Sequence, residues 1–173
     1  FCALRKIEQD EAAFRGFVAE WAARNANAGD SARTEAWLRA KLVGRWDDGQ
    51  VVRPVMPPAD ELTPPSGPAP RELNDFSFGD DPLGRGCPFG AHIRRTNPRA
   101  DAVVPYRRRP MLRRGIPYGV PYDANEKPGS VRRGLLGLFF CADLEDQFEH
   151  VLREWVDMNP MGTPSTSRAK DPI

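Results

Sequence analysis

Gly134-Leu135-Leu136-Gly137-Leu138-Phe139-Phe140-Cys141, followed by Ala142-Asp143-Leu144, is the stretch whose reading decides the fold. It is a continuous apolar run of strand length, which predicts a strand buried on both faces. Asp143 then reads as a helix N-cap. Leu144, Phe148, Val151, Leu152 and Trp155 recur behind it at helical spacing and define one apolar helix face.

Upstream, strand and helix signals follow one another again. Phe1 to Ile7 alternates loosely as a strand would, and Gln9-Asp10 offers a cap for a helix carrying Phe14, Phe17, Val18 and Trp21 on one face. That helix is expected to end between Asn25 and Gly29. Asp30-Ser31 offers a second cap, and Trp37, Leu38 and Leu42 mark a helix ending near Val43 to Trp46. His92 to Asn97 reads as a short helix or turn ahead of Pro98. Met111 to Arg114 reads as a strand entering a turn at Ile116-Pro117-Tyr118-Gly119. From 52 to 90 the periodicity breaks. Pro54, Pro57, Pro58, Pro64, Pro65, Pro68 and Pro70 exclude regular helix and central strand. Loops of that length are usually functional or partly disordered; Phe76, Phe78 and Phe89 as apolar anchors favour an ordered wrap around a site. The order strand, two helices, loop, strands, helix predicts an α+β domain with helices on one face of a mainly antiparallel sheet. Residues 1–173 read as one incomplete domain, with Pro/Ser/Thr-rich loop from Asn159.

At 173 residues the chain can bury a real core, and 40% hydrophobic with 28% charged residues is ordinary for a soluble domain. A net charge of +1 gives no global field to attract nucleic acid or anionic membrane, so neither is expected as a partner. No run approaches the roughly 20 apolar residues of a membrane span. Three scattered cysteines, Cys2, Cys87 and Cys141, do not look like a disulfide framework. The chain starts at Phe1 inside an apolar run and reads as a piece of a longer protein, which leaves its compartment open.

Chemistry concentrates between Cys87 and Arg114. His92 is one of two histidines, and Arg94, Arg95, Arg99, Arg107, Arg108, Arg109, Arg113 and Arg114 follow it with Asp101 as the single acid. Three prolines in that interval break up any continuous basic helix, against an alternative nucleic-acid-binding role. One imidazole beside so many guanidinium groups suits an anionic, metal-bearing ligand. Neutral imidazole is a standard axial ligand of haem iron, and guanidinium groups pair with carboxylates such as haem propionates. Arg94, Arg95 and Arg99 are close enough along the chain to reach the edge of such a macrocycle. Gly90-Ala91 are small enough to let it approach. Arg107-Arg108-Arg109 reads more simply as a solvated basic surface. Cys87 with His92 is a poor zinc pair without further ligands. No GxxxxGK[ST] or GxGxxG occurs.

Three blocks, Gly86-Cys87-Pro88-Phe89-Gly90-Ala91-His92-Ile93-Arg94-Arg95-Thr96-Asn97-Pro98-Arg99, Arg113-Arg114-Gly115-Ile116-Pro117-Tyr118-Gly119 and Arg133-Gly134-Leu135-Leu136-Gly137-Leu138-Phe139-Phe140, closely resemble the dye-decolorizing peroxidase family. The resemblance implies a ferredoxin-like fold, this chain covering most of the second of two such units without its last strand. It implies haem b (iron protoporphyrin IX) as cofactor, His92 as iron ligand and Arg113, rather than Arg114, over the distal face. It also places Leu138 and Phe140, two apart and so on one strand face, against the distal haem surface. The implied activity is oxidation of dyes and phenols by hydrogen peroxide, with aromatic electron donors as partners and a homo-oligomer left open. A haem-binding protein without peroxidase activity is the alternative. The family's GxxDG block, which supplies a distal aspartate, is absent; Gly79-Asp80-Asp81 differs in order and lies on the wrong side of His92. Asp157 is a candidate acceptor for the second ring nitrogen of His92.

Overall fold

A computed structural model describes residues 1–27, 30–52, 77–100 and 109–157. Its elements are β1 (Cys2–Glu8), α1 (Glu11–Asn25), α2 (Ser31–Val43), α3 (His92–Thr96), β2 (Leu112–Tyr118), β3 (Gly134–Phe140), α4 (Leu144–Glu149) and α5 (Val151–Val156). The fold is α+β: three antiparallel strands in the order β1-β3-β2, with helices against one face. The apolar run Gly134–Phe140 is the central strand, as its composition requires. It is not buried on both faces, however. Phe140 is 42% exposed, and on the same face Leu4, Leu112 and Ile116 are exposed too.

The caps explain where the first two helices begin and end. The Asp10 carboxylate accepts from Ala13 N at 3.0 Å, satisfying a first-turn amide of α1. Asp30 caps α2 differently, its backbone oxygen accepting from both Thr34 N and Thr34 Oγ1 at 2.9 Å. Gly44 ends α2 at φ +93°, a left-handed conformation that glycine adopts without strain. A Cβ there would also lie 2.3 Å from Ile93 Cγ1, so α2 and the His92 turn approach more closely than any side chain would allow. As expected, α1 turns Val18 inward, with Ala22 beside it, but against expectation it leaves Phe17 exposed. Trp21 stacks on Trp37 of α2 with centroids 6.1 Å apart, closing the helical pair.

Past Gly44 the chain makes a tight bend. Trp46 N donates to Gln50 O at 2.8 Å, and Trp46 and Val52 pack on Ala40. A second cluster joins Phe78, Cys87, Ala91 and Ile93. Of the expected wrap from 52 to 90, the described part is a series of turns pinned by Phe78. The Pro-rich stretch 53–76, with Phe76, and the tail from Asn159 lie outside the described residues. β2 runs further than expected, through Ile116-Pro117-Tyr118, and turns at Gly119. Proline is tolerated there because β2 is an edge strand.

The last helical stretch is wound wider than expected. Asp157 N donates to Leu152 O, five residues back, and His150 N reaches Glu145 O over the same interval. Such π turns carry one extra residue per turn and are frequent at functional sites. The Asp143 carboxylate caps the stretch through Asp146 N at 2.8 Å.

Candidate functional site

Side chains alternate along strands, and register partners share a face. Phe139 of β3 pairs with Arg113 of β2 and Ala3 of β1; Gly137 pairs with Gly115 and Arg5; Leu135 pairs with Pro117 and Ile7. This is the face turned to the helices. Between it and α3, α4 and α5 lies a largely apolar cavity of about 280 Å³. Leu135, Gly137, Phe139 and Arg113 line its sheet side, and His92, Thr96, Phe148, Val151 and Leu152 its helical side.

His92 is therefore in the cavity wall, as the first residue of α3. Ala91 N donates to Pro88 O, and Ala91 O accepts from Arg94 N and Arg95 N, which fixes the turn that presents the imidazole. Ala91 is buried in the Phe78–Cys87 cluster, so its small size serves packing; Gly90 faces open space. Lys41 Nζ of α2 donates to Gly86 O at 2.7 Å and Arg85 O at 3.0 Å, tying the segment before His92 to the helical pair.

Arg113 also lines the cavity. The residue is exposed as a whole, yet crowding at its guanidinium disfavours charge and lowers its pKa from the ordinary arginine value. Arg114 contributes to the cavity edge, but its side chain leaves β2 on the opposite face, beside Leu138.

Arg94 and Arg95 are elsewhere. Arg94 has no exposed surface. Its Nη1 donates to Asp81 Oδ2 at 3.1 Å and Cys87 O at 2.6 Å, and its Nη2 to Asp81 O at 2.8 Å. The guanidinium lies between the rings of Phe78 and Phe89, 4.9 and 4.4 Å from their centroids. Asp81 also accepts from Arg85 N and Cys87 N, which organises the whole turn before His92. Arg95 is 3% exposed, and its Nε donates to Trp155 O at 2.8 Å and its Nη2 to Val156 O at 3.1 Å, holding the end of α5. The expectation that these two reach a macrocycle's carboxylates is corrected: their donors are turned into the protein. Arg99 does not line the cavity; its carbonyl accepts from Phe78 N. Arg109 pairs with Asp146, while Arg107, Arg108 and Asp101 lie outside the described residues.

Leu138 and Phe140 are corrected as well. They project from the sheet face away from the cavity, and Leu135, Gly137 and Phe139 take their place. The signal was the pairing partner. Once Arg113 is opposite Phe139, the odd positions of β3 must share its face. Phe148, Val151 and Leu152, expected only as a core stripe, are cavity wall.

Among the described residues no three His, Cys, Asp or Glu side chains gather to hold a metal ion. His92 can offer one ligand, which suits a metal whose remaining ligands come from a macrocycle. Apolar walls, one imidazole able to ligate iron and one guanidinium make a lining that fits haem.

Fold and site thus define an α+β ligand-binding unit with a histidine and an arginine on one apolar cavity. No family model matches the chain. Among curated proteins it is 39% identical over 131 residues to the multifunctional dye peroxidase DyP2 of Amycolatopsis sp., covering 70% of this chain and 26% of that protein. It is 34% identical over 171 residues to a dye-decolorizing peroxidase of Exidia glandulosa, covering 92% of this chain and 32% of the relative. The solved structure of Amycolatopsis DyP2 superposes with a TM-score of 0.69 at 32% identity, covering 99% of this chain and 37% of that one. A structure of AauDyP complexed with imidazole gives 0.75 at 27% identity, over 99% and 41%. The chain belongs to the dye-decolorizing peroxidase family, of whose curated members it spans about a third.

Proposed function

We propose that this chain is the haem-holding part of a dye-decolorizing peroxidase that uses hydrogen peroxide to oxidise dyes, phenols and similar aromatic donors. The observation that carries this reading is the joint placement of His92 and Arg113 on one apolar cavity. Haem b, when bound, supplies an iron centre that reacts with peroxide and takes electrons from donors singly. His92 would hold the iron through one ring nitrogen, leaving the other to donate to an acceptor that would keep the ring oriented. Asp157, just beyond α5, remains the candidate acceptor.

Arg113 serves the peroxide. Cleavage of the O–O bond leaves negative charge on the departing oxygen, and a fixed cation beside it lowers the barrier. Arginine suits the task because it keeps its charge across the working pH range. Leu135, Phe139, Phe148 and Val151 exclude water, so that the charge of Arg113 acts in a weakly screening medium. With haem held in this cavity, the space left beside Arg113 would suit peroxide rather than bulky donors, which would give up electrons at the surface. Tyr118 and Tyr122 are candidate relays; Trp155 is buried, and Tyr106 lies outside the described residues.

The test is turnover by the full-length haem protein of a methoxyphenol with hydrogen peroxide. Arg113→Leu should retain haem and slow the reaction with peroxide, while Arg114→Leu reacts as wild type. A haem-loaded wild type without peroxide-dependent oxidation would replace this reading with haem binding alone.

A further inference from the structure

His92 opens a helix of only 5 residues. A helix this short is not stable by itself in water, and helix ends fray first. The direction of the imidazole therefore depends on what holds α3 from outside. Among the described residues that hold centres on one buried ion pair, Asp81 with Arg94, which are 4% and 0% exposed. Asp81 Oδ1 accepts from Arg85 N at 2.8 Å, and its Oδ2 from Cys87 N at 2.9 Å and Arg94 Nη1 at 3.1 Å. The same Nη1 donates to Cys87 O at 2.6 Å. Cys87, just ahead of His92, is thus gripped at its amide by one member of the pair and at its carbonyl by the other. The two members flank His92 in the sequence, so their contact closes the segment that carries it into a loop. The Phe78 and Phe89 rings lie over the guanidinium and keep water from it. Stability alone is a poor reason for such a pair. Burying two charges costs about as much as their attraction gives back, and apolar side chains of the same volume often hold a fold as well or better. What a guanidinium and a carboxylate add is direction, because they meet in fixed geometry.

We propose that Asp81 and Arg94 are positioning residues for His92: the buried pair fixes the direction of the imidazole before haem arrives, and so sets the strength of its bond to iron. The proposal rests on the haem reading above and deepens it. Neither side chain lines the cavity, so both act through the turn that presents the histidine. A ligand held in place beforehand gives up little freedom when its bond forms. With the pair broken, His92 samples several directions, and its bond to iron is weaker on average and opens more often.

The experiment uses the full-length haem protein. Resonance Raman spectra of the ferrous form give the iron–histidine stretching band, and transfer to excess apomyoglobin gives the rate of haem release. Asp81→Asn should broaden the band and move it to lower frequency, and haem should leave at least about tenfold faster, the scale on which groups that orient a metal's ligands act. Arg94→Lys keeps the charge but not the planar fork, and should move both readouts the same way by less; it carries the test if Asp81→Asn does not fold. Val52→Ala is the control, since it loosens the separate Ala40–Trp46–Val52 cluster. It should lower the unfolding midpoint and leave band and release as in wild type. If it moves them as far as Asp81→Asn does, lost stability explains the effect and the positioning role is overturned. A wild-type protein that takes up no haem, or shows no such band, overturns the function proposed above together with this role. A wild-type band that neither Asp81→Asn nor Arg94→Lys moves overturns the role alone.

Discussion

Arg94 and Arg95 lie inside the protein with carbonyl oxygens and Asp81 around them, whereas Arg113 and Arg114 lie on an edge strand beside the cavity. Both are adjacent arginine pairs. The helix splits the first pair by about 100°, sending Arg94 to the Asp81 turn and Arg95 to the end of α5. The strand splits the second pair by half a turn, so that only Arg113 shares a face with Phe139. One pair builds the platform that presents His92; one member of the other remains for a ligand. Local arginine density therefore does not measure charge offered to a ligand.

The contrast breaks most sharply at Asp81. Asp81→Asn leaves the Arg94 guanidinium buried without its counter-charge, and the free energy of unfolding should fall by about 3–5 kcal/mol in a urea titration. Little change would mean that Arg94 is not structural. Arg113→Leu should leave that unfolding curve unmoved while stopped-flow shows reaction with peroxide slowed by about 10²–10³-fold. Damage confined instead to Arg114→Leu would reverse the assignment of faces. Arg95→Met removes donors from the carbonyls of Trp155 and Val156, and urea unfolding should register a loss of about 1–3 kcal/mol.

The smallest effect concerns His150, which sits edge-on to Trp155. Burial first, then nearby Arg109, lowers its pKa from the ordinary 6.5. The folded protein thus binds this proton less readily than the unfolded chain does. The resulting stability is present above 6.5 and is lost as pH falls through the folded value. His150→Gln should make the thermal midpoint fall slightly less between neutral and mildly acid pH, as thermal melts at each pH would record. An unaltered slope would deny any folded-state shift.

Much of the architecture was readable from local chemistry. Asp10 and Asp143 are caps where the sequence placed them, Val43 ends α2 before Gly44, and the apolar run from Gly134 is the central strand. These features depend on neighbours within a few residues. The site was readable only in part. His92 and Arg113 stand out by residue type and by family resemblance, but the cavity face of β3 depends on register, and one residue of slip inverts it. Leu138 and Phe140 were misplaced for that reason. Asp81 was passed over because its partner is 13 residues away and its meaning lies in burial. The wide turns of α4 and α5 leave no trace in a spacing that suits an ordinary helix equally well.

The most direct measurement is the absorption spectrum of the full-length protein with His92→Ala. The account predicts that the Soret band is lost or strongly displaced, and that free imidazole added to the variant restores it in part. A variant spectrum identical to wild type would contradict ligation by His92, and with it the cavity's assignment as a haem site.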